Sequence, residues 1–204
     1  VNYEENIEQG LENKGRYRLP FNNDEFIKDM VVQLKKQHNL KIAIETGSFM
    51  YTTSRFFANL FEKFITFEKS SKLFNEFNHI IAGHTNAIGL CIDSVDGLKK
   101  YSPQITSETL IYLDAHWDDN FPLLEELKVI ADTGEKPLIM IHDFKVPDTD
   151  RFFYTFNDVD LDLDYVEESL DKIYGKDKYS IMYPAQVGIE NVGCVFIIPE
   201  KSGS

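Results

Sequence analysis

The chain has 204 residues, of which 43% are hydrophobic and 27% charged, and a formal net charge of −13. That length and composition fit one globular domain with a full core and argue against disorder. The charge argues against a phosphate backbone or an anionic membrane surface as partner, because both require a basic footprint.

The first twenty residues are polar, with Gly10, Gly15 and Pro20, and read as an N-terminal arm. Asn22 followed three residues later by Glu25 resembles a capping box. Phe26, Met30, Val31 and Leu34 then recur at helical spacing, which predicts a helix from Asn23 to about His38. Ile42–Glu45 is a predicted buried strand. Thr52 or Thr53 is the expected cap of a helix that reaches Phe61 and turns Phe56, Phe57, Leu60 and Phe61 inward. Phe64–Phe67 is the second strand, residues 70–79 read as helical, and Ala87–Ile92 is the third strand. A short helix over Ser94–Tyr101 leads to a fourth strand, Thr109–Leu113. An amphipathic helix over Pro122–Ala131, with proline in its first turn, leads to a fifth, Pro137–Ile141.

Residues 144–162 form a long loop with Phe152, Phe153, Tyr154 and Phe156. Loops of that length are usually functional or mobile, and this one is the expected lid. Its acids Asp158, Asp160, Asp162 and Asp164 lack the turn glycine of an EF-hand calcium loop. They read as a solvated approach to a helix N-terminus. That helix, Leu163–Tyr174, stops at Gly175. Lys178–Tyr183 and Cys194–Ile198 follow as two strands with no helix between them, which predicts an antiparallel C-terminal hairpin.

Strands alternating with helices predict an α/β fold: a mainly parallel seven-stranded sheet with helices on both faces. The expected divisions are an arm and helix over 1–39, one α/β domain over 40–199 and a tail over 200–204. Cys91 and Cys194 both fall in apolar runs and are expected to be buried free thiols. No apolar run reaches membrane-spanning length and no signal peptide is visible, so the expected location is the cytoplasm. The sequence does not encode a readable oligomeric state.

Lys41–Phe49 carries the functional signal. A strand ends in Glu45, a turn carries the single glycine Gly47, and the next strand ends in Glu68. This is the layout of a nucleoside-binding α/β unit. Gly47 is expected to let a ligand approach the backbone. Glu68 offers two acceptor oxygens to the two ribose hydroxyls. A dinucleotide is less well served, because the turn lacks the full Gly-x-Gly-x-x-Gly.

Glu45-Thr46-Gly47, taken with Leu113-Asp114-Ala115-His116-Trp117, resembles the class I S-adenosylmethionine-dependent methyltransferases, in particular small bacterial methyltransferase-like proteins. The likeness runs from about residue 40 to 199. The resemblance implies a single Rossmann-like domain whose final strand is reversed, S-adenosyl-L-methionine as cofactor, and methyl transfer to the oxygen nucleophile of a small-molecule polar acceptor. It implies that Glu45, Thr46, Gly47, Ser48 and Glu68 hold the cofactor, that Asp93 and Ser94 meet the adenine, and that Asp114 borders the methyl-transfer position. His116 or His142, with Asp143, is the expected general base, and Trp117 a wall of the acceptor pocket. Metal-free base catalysis is the favoured reading; if a divalent metal takes part, Asp114, His116 and Asp143 are its expected ligands. The chain departs from the pattern at Tyr51, where such proteins often carry a second glycine, and at Asn191-Val192-Gly193, where they often carry Arg-Gly. A Tyr51 ring that filled the methionine position would make this a non-catalytic binding module.

Overall fold

The computed structural model describes residues 19–116 and 121–200. Residues 1–18 of the expected arm, residues 117–120 with Trp117 among them, and the residues from 201 onward lie outside the described residues. Seven strands form one sheet: β1 (Ile42–Thr46), β2 (Lys63–Glu68), β3 (Ala87–Cys91), β4 (Thr109–Leu113), β5 (Leu138–His142), β8 (Tyr179–Met182) and β9 (Cys194–Pro199). Two short strands, β6 (Thr155–Phe156) and β7 (Val159–Asp160), make a separate ribbon in the long loop. The sheet order is β3-β2-β1-β4-β5-β9-β8. The first five strands are parallel. β9 inserts antiparallel between β5 and β8, which leaves β8 at the edge. The chain reverses direction across the sheet between β1 and β4, which is where open α/β sheets bind ligands at their carboxyl ends.

The helices are α1 (Glu25–His38), α2 (Thr52–Leu60), α3 (Ser71–Phe77), α4 (Ser94–Tyr101), α5 (Leu123–Asp132) and α6 (Leu163–Tyr174). Strand side chains alternate between faces, so the core has two layers. In one, Ile27, Val31 and Leu34 of α1 and Phe57 and Ala58 of α2 pack on Ala43, Phe64, Leu110, Tyr112, Met140 and Phe196. In the other, α4, α5 and α6 bring Leu98, Leu127, Ile130, Val166 and Leu170 against Ile44, Ile65, Ile111, Ile139 and Ile197. Among the described residues no helix is long and apolar enough to cross a membrane.

Three expectations are corrected locally. Asp24, not Asn22, caps α1: its Oδ1 accepts from the Ile27 amide at 2.9 Å, and its Oδ2 from the Gly188 amide at 2.6 Å. Asn22 instead sits with Phe21 and Asn23 in a left-handed turn, φ 52–64°. That turn aims the Phe21 ring inward, edge-on to Phe56, Phe57 and Tyr112 at 5.5–5.7 Å. Neither threonine caps α2. Its N-cap is Tyr51, and Thr53 Oγ1 accepts from the Phe21 amide at 3.1 Å. Both cysteines are free, but only Cys194 is buried; Cys91 is exposed at the end of β3.

Glu45 is a charged residue type inside an apolar layer. It is 1% exposed and accepts hydrogen bonds from Ser54 Oγ and, at 2.7 Å, from Thr66 Oγ1. Burial pushes its pKa up to about 8, against the two hydroxyl donors. The folded chain therefore keeps a proton that the unfolded chain releases above the ordinary value of 4.5, so this group's contribution to stability falls as pH rises from there to about 8. Urea titrations of Glu45→Gln across that window are expected to give a shallower decline than wild type, by up to about 1.4 kcal/mol per pH unit. Parallel profiles would contradict the assignment.

Candidate functional site

The turn after β1 is set by its neighbour β4. Gly47 has φ 80°, and a Cβ there would fall against the Asp114 carbonyl oxygen and lie 3.0 Å from the Ala115 Cα. The glycine is thus required by backbone-to-backbone approach to β4. The Asp114 amide bridges to Thr46 O and Thr46 Oγ1, both at 3.2 Å, and ties the two strand ends together. The turn's own amides are already engaged. Gly47 and Ser48 donate to Phe67 O at 3.1 and 3.2 Å, and Phe49 donates to Glu68 Oε2 at 2.9 Å. Glu45 points into the apolar layer beside α2, where Ser54 and Thr66 hold it, and not toward the strand ends.

Glu68 is 4% exposed. Besides Phe49 it accepts from the Ser70 amide at 2.8 Å and from the Lys69 amide, three backbone hydrogens on one carboxylate. Burial raises its pKa against those donors. Asp93 is the N-cap of α4: Oδ1 accepts from the Val95 amide at 3.0 Å, and Oδ2 lies 3.4 Å from Lys69 Nζ. Ser94 follows it as the first, buried residue of that helix. Tyr51 is 0% exposed, and its ring belongs to the apolar layer that holds Phe57 and Phe64.

The ends of β4 and β5 bring four expected residues together. His116 Nε2 lies 3.2 Å from Asp143 Oδ2, and His142 Nδ1 lies 3.0 Å from Asp143 Oδ1 and 3.5 Å from Asp114 Oδ1. Tyr112 donates its hydroxyl hydrogen to Asp114 Oδ2 at 2.7 Å. Asp143 reaches both rings from a left-handed backbone, φ 53°, an uncommon conformation for a side-chain-bearing residue and one that concentrates at functional sites. Burial disfavours charge on all three groups. It is outweighed: Asp143 holds His116 above the ordinary imidazole value, Asp114 and Asp143 hold His142 well above it, and the two rings hold Asp143 well below the carboxylate range. Asp114, His142 and Asp143 each bring one ligand atom within 4.8 Å of the others, so His142 rather than His116 joins the two aspartates in the group able to hold a metal ion. The acid run after Asp158 forms no such group among the described residues; Asp162 caps α6 and Asp160 pairs with Lys145 at 2.5 Å.

The long loop covers His116. The Tyr154 ring lies 5.0 Å from the imidazole, and Phe121 stacks on Tyr154 and Phe156 at 5.5 and 5.1 Å. Arg151 fastens the loop to Pro184 O at 2.7 Å, and Phe152 exchanges backbone hydrogen bonds with Asn191 and Gly193, both at 2.8 Å. A Cβ at Gly193 would collide with the Phe144 carbonyl oxygen, which accounts for glycine there. Phe152 itself is exposed. One polar residue was not singled out from the sequence: Glu126 on α5, 1% exposed, beside the Ser94 and Thr46 hydroxyls. Its spacing was a usable signal, since it lies three residues after Leu123 and four before Ile130, on the apolar face.

No family model matches the sequence, and no curated protein does. Solved structures do match. A Klebsiella pneumoniae protein assigned as an O-methyltransferase is 15% identical with a TM-score of 0.63, over 96% of this chain and 90% of that one. An O-methyltransferase from Bacillus cereus, in complex with SAH, is 13% identical with a TM-score of 0.62, over 98% and 93%. An rRNA methylase from Streptococcus thermophilus is 14% identical with a TM-score of 0.51, over 84% and 95%. At such identities the likeness establishes architecture: this chain has the Rossmann-like fold of the class I methyltransferases, reversed final strand included.

Proposed function

We propose that the chain transfers a methyl group from S-adenosylmethionine to a hydroxyl oxygen of a small polar acceptor. The observation that carries this reading is the His116–Asp143–His142 cluster at the carboxyl edge of a methyltransferase fold, next to the ends of β1 and β4. The cofactor supplies an activated methyl on a sulfonium. Glu68, at the end of β2, is the acid placed to accept from the ribose hydroxyls, and Asp93, Ser94 and Asp114 border the same edge. The acids along that edge favour a ligand bearing ammonium and sulfonium charge over a phosphate. The spent amides of Gly47, Ser48 and Phe49 speak against a dinucleotide, whose pyrophosphate needs them. Tyr51 is enclosed in the apolar layer, with its hydroxyl beside Ser48 and Glu68.

On the acceptor side, Asp143 takes the Nε2 hydrogen of His116 and leaves Nδ1 to receive the acceptor's proton. The same carboxylate then stabilises the imidazolium. Tyr154 and Phe121, packed on the ring, exclude water from it. The net charge of −13 supports a small molecule over a nucleic acid. The convergence of Asp114, His142 and Asp143 supports a second reading, in which a divalent cation held there lowers the acceptor's pKa. Turnover that survives chelation would remove it.

Calorimetry with S-adenosylhomocysteine (SAH) is expected to give saturable binding; no heat at millimolar ligand would overturn the proposal. With an acceptor in hand, His116→Ala is expected to lower turnover by about 100-fold or more while SAH affinity stays within about threefold. The pH profile of the wild type should rise through a midpoint above 6.5, because His116 must lose its proton and Asp143 resists that loss. An unchanged rate in the variant, or a flat profile, would contradict the base assignment.

A further inference from the structure

His116 is sealed in this structure. Its side chain is 2% exposed, so no acceptor hydroxyl reaches the imidazole from solvent. Two rings close over it. Phe121 is held by Tyr165 of α6 at 5.4 Å and stays with the core. Tyr154, 5.0 Å from the imidazole, belongs to the long loop. The two ends of that loop are buried, at Phe144 and Val146 before it and at Leu161 after it. Between these anchors residues 147–150 and 157–159 are exposed, and so is Phe152. Asp148, just inside the first anchor, has a left-handed backbone, φ 58°. A segment with fixed ends and little buried surface between them belongs to the low-stability part of a fold, from which moving lids are drawn.

Arg151 holds this segment down. Its guanidinium donates to Pro184 O at 2.7 Å and to Ala185 O at 3.3 Å, in the connection between β8 and β9. Phe152 joins the same connection through its backbone bonds to Asn191 and Gly193. Both acceptors of Arg151 are backbone carbonyls. The contact can therefore open without leaving a buried carboxylate unpaired, which is the costly step in breaking a buried ion pair. We infer that residues 147–160 form a gate over His116, that Arg151 is its latch, and that the structure is the closed state. The acceptor enters when the loop lifts and carries Tyr154 off the imidazole. While the gate is shut, water is kept from the base. Arg151 acts through the loop and is a positioning residue. The gate rests on the reading of His116 as the base and adds to it how that site is opened.

Diethyl pyrocarbonate acylates accessible imidazoles, and mass spectrometry reads the product residue by residue, so the test needs no acceptor. In wild type His116 is expected to react about 30-fold or more slowly than the exposed His79, because its reaction waits for the loop to open. Arg151→Ala is expected to raise the His116 rate about 10-fold or more, the worth of a hydrogen bond to a charged group in the opening equilibrium. Arg151→Lys, which keeps the charge, should fall between the two. His142 is the control. Its side chain is also 2% exposed, but it lies beside Tyr112. Met140, two residues before it, packs in the layer of α1 and α2, whereas Tyr154 and Phe121 pack on the other layer. Lifting the gate therefore leaves His142 protected, and its rate is expected to stay within about twofold in the variants. A wild-type His116 that reacts as fast as His79 would overturn the closed state. A His116 rate unchanged in Arg151→Ala would overturn the latch. A parallel rise at His116 and His142 would mark general loosening and overturn the gate. Failure of SAH to bind would remove the methyl-donor reading and leave these rates interpretable; failure of the acylation pattern would remove the gate alone.

Discussion

The close approach of two backbones, at Gly47 and Asp114, is the constraint on which the site depends. A side chain at position 47 would displace the Asp114 carbonyl, and the Asp114 amide is in turn held by Thr46. The ends of β1 and β4 are thereby locked side by side, where the chain reverses direction across the sheet. Residues that are far apart in sequence inherit their positions from that contact. Asp114 and His116 leave β4 at a fixed height, and Glu68 leaves β2 next to the turn amide of Phe49. A longer spacing between the two strand ends would separate Glu68 from the imidazole cluster.

Around this contact the molecule sorts its ionisable groups by face. Glu45 enters the layer of α1 and α2 and is held by hydroxyls, in a form that burial drives toward neutrality. The pair of β5 does the reverse. His142 and Asp143 are held charged against the same desolvation because each supplies the other's counter-charge. Removing one member of a buried pair of this kind typically costs about 3–5 kcal/mol, since the partner is left uncompensated. The left-handed backbone at Asp143 lets a single carboxylate serve two rings. Tyr112 extends the network to the first turn of the described chain, since its hydroxyl holds Asp114 while its ring meets Phe21.

The strand ladder was legible because each buried strand is a short apolar run, and β1, β2, β4 and β5 all close on or next to an acid. The reversed final pair was legible because no helix separates it. What escaped the sequence required knowledge of neighbours. Asn22 and Asp24 are both good caps, and only the inward demand of Phe21 decides between them. Cys91 lies in an apolar run, yet β3 is an edge strand and leaves it exposed. The backbone of β4 also demands a glycine at position 47, a requirement that needs the neighbouring strand to be seen. His116 and His142 are equivalent as residue types, and only the fold places His142 with both aspartates. Glu126 was hidden beside Glu125, although the apolar spacing of α5 distinguishes the two.

The central claim is that the carboxyl edge between β1 and β3 holds a methyl-donor nucleoside beside His116. A crystal structure of the protein grown with S-adenosylhomocysteine tests it most directly. The account predicts the ribose on Glu68, the base beside Asp93 and Ser94, and the sulfur turned toward the Asp114–His116 segment, with Tyr51 still enclosed next to Phe57. A ligand bound elsewhere, or an edge left empty at saturating ligand, would contradict it.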